Sequence, residues 1–294
     1  MLLLKKFHLI GSDCLKKVAV IQDMSSFGKC SLTAAIPVLS VMGVQACPLP
    51  TAVFSAQTAY PSFHHQDLTA NMPHFMNEWA RNGETFDGIF SGFVTGDAQI
   101  QHIFRFLELF QKPETTVLVD PVMGDDGELY KMYTPALLDK MKELVRHATI
   151  TTPNITECCL LTGTSYEKLI QYEGLDFDKA LIETAQKLQL QTNAKIVVTG
   201  IRRNEQTICN LYADEATAYV SESPYNGSSF SGTGDLFSSV VIGSVMQGLT
   251  VADGMKRAEQ FLCAAIEETV RAKTKAIEGI HFERYLSMLI REES

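Results

Sequence analysis

The chain has 294 residues, 46% of them hydrophobic and 20% charged, with 19 glycines and 10 prolines. This is ordinary globular composition, sized for one large α/β domain or two small ones. Its formal charge of −9 offers no basic field for nucleic acid, and no stretch reaches the roughly 20 uncharged apolar residues of a membrane span. Seven cysteines, an odd number without paired CxxC spacings, argue against a disulfide framework or a zinc site and for reduced thiols in a cytoplasmic protein.

In chain order, the apolar start Met1-Leu2-Leu3-Leu4 is broken by Lys5-Lys6 and no small-residue cleavage pattern follows, so a signal peptide is rejected. Residues 1–16 are expected to be a loose extension, and 17–294 one domain. Val18-Ala19-Val20-Ile21 reads as a buried strand, followed by a helix over 31–42 capped by Ser31. Further strands are expected at 44–49, 88–91, 116–120, 149–151 and 195–199, with helices around 67–82, 97–111, 134–147 and 176–190. Unbroken rather than alternating apolarity suits strands covered on both faces, and the alternation of strand and helix implies right-handed crossovers in a mostly parallel sheet. Residues 206–221 break the alternation and read as a hairpin. Helices at 234–247, 251–272 and 281–290 close the chain.

In open α/β sheets ligands bind beyond the carboxyl ends of the strands, and the polar and glycine-rich residues fall there. The sharpest motif is Ser231-Gly232-Thr233-Gly234-Asp235. Its glycines let a ligand approach the backbone, and the helix it opens aims free amides at an anion. Asp235, in the first turn, could take a proton from an attacking hydroxyl, although a capping acid is the common role for such a residue. Asp120-Pro121-Val122-Met123-Gly124-Asp125 sets two acids after a strand, and Pro153-Asn154-Ile155-Thr156-Glu157 sets a third in a first helical turn. Magnesium asks for one or two carboxylates beside phosphate and water, which Asp125 and Glu157 could supply; the plainer role for Glu157 is to complement its helix dipole.

The order of these motifs resembles the ribokinase-like superfamily, and more narrowly its pyridoxal/pyridoxamine kinase branch, from Lys17 to about Leu289. The pieces that carry the resemblance are Val20 to Asp23, Phe54 to Thr58, Ser91-Gly92-Phe93, Asp120 to Asp125, Thr152 to Glu157, Thr199-Gly200 and Gly232 to Asp235. It implies an α/β, three-layer fold: a central, mostly parallel sheet with helices on both faces and a small β-hairpin near the active-site edge. It implies a kinase that moves a phosphoryl group from ATP to the 5'-hydroxymethyl group of pyridoxal, pyridoxamine or pyridoxine. Mg2+ would assist, with a monovalent cation such as K+ as a further candidate, in a homodimer without nucleic-acid or membrane partners.

By the same resemblance Asp235 is the base, and the amides of Gly232, Thr233 and Gly234 form the anion hole. Glu157 and Asp125 serve the metal. Asp120, Thr152, Thr199, Gly200 and Asn226 lie toward ATP, and Asp23, Thr58, Phe54 and Phe93 toward the acceptor ring. Two departures stand out. Asp23 replaces a Ser common among pyridoxal kinases and resembles the hydroxymethylpyrimidine kinases of thiamine synthesis, which typically carry Cys where this chain has Asp235. Ala59 precedes Tyr60 where Gly is usual. The rivals are therefore a hydroxymethylpyrimidine kinase and a vitamin-binding protein without turnover; the second would lack the base or Glu157. Elsewhere, Cys158-Cys159 read as buried small residues, His64-His65 and His74 as solvated side chains, and Arg202-Arg203 as facing solvent. Phe27 to Ser31 lacks the first glycine of a Walker loop.

Overall fold

In the computed structural model residues 15–131, 133–225 and 228–290 are described; most of the N-terminal extension and Asn226 lie outside them. Nine strands form one sheet in the order β11-β10-β9-β8-β5-β4-β1-β2-β3. Six of these strands run parallel: β1 (Lys17–Ser25), β2 (Gln45–Phe54), β4 (Gly88–Ser91), β5 (Thr116–Val119), β8 (Ile150–Thr151) and β9 (Lys195–Arg202). Antiparallel strands finish both edges, β3 (His65–Asp67) on one side and the hairpin β10 (Thr207–Ala213) and β11 (Ala218–Pro224) on the other. A separate two-residue ladder, β6 (Gly124–Asp125) with β7 (Glu128–Leu129), follows β5.

The period-2 geometry of a strand sends alternate side chains to opposite faces, and each face has its own core. Ala19, Ile21, Ile89, Val117, Val119 and Val198 point to one core. It is covered by α2 (Met72–Arg81), α3 (Asp97–Phe110), α4 (Pro135–Val145), α5 (Ile155–Thr162), α6 (Tyr166–Leu169) and α7 (Gly174–Thr192). Val18, Val20, Phe90, Leu118 and Val197 point to the other, beneath α1 (Leu32–Val41), α8 (Thr233–Met246) and α9 (Val251–Arg271). Strands buried on both faces explain why their sequences carry no alternation.

The expected helices and strands appear within a few residues, with one change of substance at the start of α1. The expected hairpin is present, and β10 pairs with β9 so that it widens the main sheet. Helix α1 begins at Leu32 without a side-chain cap: Ser31 sits at φ 49°, ψ −130° and gives its hydroxyl to Asp23 Oδ1 instead, at 2.6 Å. A capping serine accepts from the first-turn amides out of an extended backbone; the left-handed φ of Ser31 turns its hydroxyl toward the carboxylate instead. The antiparallel β3 and the β6–β7 ladder had no strand signature, being three and two residues long.

Candidate active site

The carboxyl ends of β1, β4, β5, β8 and β9 open into one cleft of about 1920 Å³. Its floor is the N-terminus of α8. Gly232, at φ 79°, ends the approach to this helix; a Cβ there would drive into the Lys29 carbonyl oxygen, so the turn requires glycine. The amides of Thr233 and Gly234 open the helix, where no intrahelical acceptor exists for them, and the positive end of the helix dipole favours an anion at this spot. Asp235 lies in the same first turn. Desolvation pushes its carboxyl up to about 7; the polar backbone of Ser31 nearby opposes the rise, and the charge of Asp23 adds to it.

Asp120 stands at the end of β5, buried, within 3.9 Å of where a Gly234 Cβ would be. Its Oδ2 accepts from Ser238 Oγ at 3.2 Å, and the Ser238 hydroxyl also meets Thr152 Oγ1 at 2.9 Å. Burial and the neighbouring charge of Asp235 raise its pKa. Glu157, buried at the start of α5, accepts from the amides of Met123 at 3.0 Å and Asn154 at 2.8 Å. With Asn154 Oδ1 accepting from the Glu157 amide, this is a reciprocal capping box. The Asn154 side-chain amide donates to the Gly124 carbonyl at 2.8 Å. Glu157 therefore ties the loop after β5 to the head of α5. Desolvation first, and the charge of Asp120 second, hold its pKa well above the usual range.

Asp125, more exposed, lies on the same loop and its pKa is also raised by burial. Its oxygens and those of Asp120 are hard donors held at one end of the cleft, which suits Mg2+, a cation that completes its shell with phosphate and water. Both Glu157 oxygens already serve backbone amides, so Glu157 fits better as the brace of that loop than as a direct ligand. Among the described residues no three His, Cys, Asp or Glu side chains form a closed metal cluster.

At the other end of the cleft, Asp23 is buried with Ser25 and Ser31 hydroxyls donating to it at 2.8 and 2.6 Å. Burial raises its pKa against those two bonds. Phe54, Thr58 and Phe93 line the same end. Phe54 stacks on His65, ring centroids 5.2 Å apart, so one member of the histidine pair packs against an aromatic although it remains exposed. Thr199 and Gly200 line the opposite wall. There the β9–β10 register shifts, and the Gly200 amide donates to Asn210 Oδ1 at 3.1 Å. Asn210 in turn donates to the buried Glu259, which also accepts from Ser221.

Every site residue expected from the sequence lines this cleft except Asn226, which lies outside the described residues. Sequence reasoning missed Ser25 and Ser31 on Asp23, Ser238 on Asp120 and the Asn210–Glu259 pair. Ser238 alone had a signal, falling three residues after Asp235 on the same helical face. Arg203 was misjudged as solvent-facing: it pairs with Asp178 and Glu222, which holds α7 to the hairpin. Arg202 is exposed and lies over the Tyr225 ring.

The sequence model of the phosphomethylpyrimidine kinase family matches residues 26–279. The chain belongs to this family. A Bacteroides thetaiotaomicron protein named for the family, solved with pyridoxal, is 34% identical over 94% of this chain and 96% of that one, with a TM-score of 0.87. The pyridoxal kinase of Lactobacillus plantarum is 31% identical over 94% and 97%, with a TM-score of 0.84. The pyridoxal kinase of Dictyostelium discoideum is 25% identical over 87% of each chain. The fold is thus that of the ribokinase-like pyridoxal kinases, and this member of the phosphomethylpyrimidine kinase family is a kinase.

Proposed function

We propose that this kinase phosphorylates the 5'-hydroxymethyl group of a vitamin B6 ring, using ATP. The observation that carries the reading is the floor of the cleft. A carboxylate of raised pKa and the open amides of a glycine turn occupy one helix N-terminus, with a second acid, Asp120, beside them. Asp235 accepts the proton of the attacking hydroxyl. The amides of Gly232, Thr233 and Gly234 hold the charge on the phosphoryl group in flight, a preorganised arrangement that needs no rearrangement during transfer. Asp120 and Asp125 would hold Mg2+, which when bound offsets the charge of the phosphate oxygens. Glu157 keeps the loop bearing Asp125 in place. Thr152, Thr199 and Gly200 border ATP, with Asn226 on the same side. Phe54, Phe93, Thr58 and Asp23 border the ring, the aromatics excluding water and Asp23 accepting from a donor substituent.

Asp23 favours a second reading, a hydroxymethylpyrimidine kinase, because an acceptor-only carboxylate also suits an aminopyrimidine. Asp235 in place of a cysteine, and relatives that are named pyridoxal kinases, favour the vitamin B6 ring. Incubation of the protein and radiolabelled ATP with pyridoxal, pyridoxamine, pyridoxine and hydroxymethylpyrimidine decides between them. Label transferred chiefly to the pyrimidine would overturn the first reading. The active form is a cytoplasmic homodimer in this proposal. Met24 and Val53 are register partners on β1 and β2 and both exposed, and Phe27 and Phe63 are exposed as well; such an apolar patch suits a self-complementary interface. Among the described residues no helix is long and apolar enough to cross a membrane.

A further inference from the structure

The segment after α9 packs along the back of the cleft and offers three carbonyls to three different loops of the site. Ala276 O accepts from the Ser231 amide at 2.9 Å, at the entrance to the glycine turn. Ile277 O accepts from Gln57 Nε2 at 3.3 Å, next to Thr58. Ile280 O accepts from Lys29 Nζ at 3.0 Å, and Glu283 pairs with the same ammonium at 2.9 Å. The Phe282 ring lies 5.7 Å from that nitrogen. The segment is itself anchored: Ile280 and Phe282 are buried, and the His281 amide donates to Thr269 Oγ1 on α9 at 2.8 Å.

Lys29 sits in a turn under strain. Lys29 at φ 51° and Ser31 at φ 49° both occupy the left-handed half of backbone space without being glycine, a state that persists only when surrounding contacts enforce it. What the turn presents is the reacting end of the cleft. The Lys29 carbonyl packs on Gly232, and the Ser31 hydroxyl donates to Asp23. A Cβ at Gly279, itself at φ 77°, would come within 2.6 Å of the Gly28 carbonyl oxygen, so turn and segment meet backbone to backbone.

We infer that residues 276–283 are the template that fixes the three active-site loops, and that Lys29 is a positioning residue for phosphoryl transfer through its grip on Ile280 and Glu283. This rests on the kinase reading of the site. Lys29 touches no reacting group. It holds the turn whose carbonyl packs on the glycine of the anion hole and whose Ser31 hydroxyl meets Asp23, and displacements of about 1 Å at such positions can cost on the order of 10²-fold in rate.

The test is Lys29→Met in the full chain. We expect kcat to fall roughly 10-fold or more with the KM for ATP unchanged. Lys29→Arg keeps the ion pair and should restore most of the rate. Glu283→Ala removes half of the grip and should lower kcat by less; it decides the matter if Lys29→Met fails to fold. Parental kcat in Lys29→Met, or in Glu283→Ala where the first does not fold, overturns the inference. So does a rate loss in Lys29→Met that Lys29→Arg leaves uncorrected. Hydrogen exchange at the Gly28 to Ser31 amides reads the loosening of the turn without turnover, and should quicken in Lys29→Met. A parent inactive on every acceptor would sink the kinase reading alone, and unchanged exchange in that turn the inference alone.

Discussion

Ser238 Oγ donates to Asp120 Oδ2 at 3.2 Å from one turn beyond Asp235, so a single helix presents both the proposed base and the group that steadies the second acid. The bond opposes the rise in the Asp120 pKa caused by burial and by Asp235. Ser238→Ala leaves a buried carboxylate and the Thr152 hydroxyl short of a partner, at a cost of about 1–3 kcal/mol. The Mg2+ concentration for half-maximal rate should rise several-fold, since a more basic Asp120 releases its proton less readily to a cation. Metal titration and a thermal melt check the two halves separately.

Asp235→Asn should lower kcat by roughly 10²-fold or more, because the amide has the shape of the acid but cannot take the proton. Retention of near-parental kcat would remove Asp235 from the base role.

The same residue makes a pH prediction with a definite sign. The folded carboxyl is raised to about 7, so the folded state holds its proton longer than the unfolded chain does. Its contribution to stability is complete below about pH 4 and is lost as pH rises through about 7. Turnover has the opposite demand and falls as pH drops below about 7. At pH 8 Asp235→Asn should therefore melt higher than the parent, by a few degrees if the relief is about 1 kcal/mol, and this gap should close by pH 4. Equal melting temperatures at pH 8 would contradict a carboxylate destabilised by its surroundings.

Glu157→Gln replaces an oxygen with an amino group facing either the Met123 or the Asn154 amide. One donor then meets another, and a loss of about 1–3 kcal/mol follows. Transfer should slow and the Mg2+ requirement rise, while binding of the ring is unchanged. Overlaying metal titrations of mutant and parent would confine Glu157 to its capping box.

Sedimentation at micromolar concentration should give a species of twice the 32.6 kDa chain mass. A single species at the chain mass refutes the dimer and leaves the kinase assignment untouched.

The layered sheet was legible because buried parallel strands such as Val18 to Ile21 and Lys195 to Thr199 write continuous apolar runs, and because Gly232 to Asp235 concentrates its chemistry in neighbouring positions. What escaped were contacts between positions far apart in the chain. Asp120 and Ser238 are 118 residues apart, and Lys29 and Ile280 are 251 apart; no local pattern records such pairings. Ser31 misled for a different reason. Its position before a helix is that of a cap, yet the acid eight residues upstream takes its hydroxyl. Arg203 misled because a basic pair before a hairpin looks the same whether or not an acid such as Asp178 waits on another helix.

Glu157 and Asp235 open helices that pack on opposite faces of the sheet, α5 on one and α8 on the other. The gap between the proposed base and the brace of the acidic loop is thus gauged by the thickness of the sheet, a length that loop movements leave alone. Loops at the rim can open, close or diverge among relatives without detuning that gap. By the same reasoning a small molecule wedged between either helix and the strands would disable the enzyme while touching none of its reacting atoms.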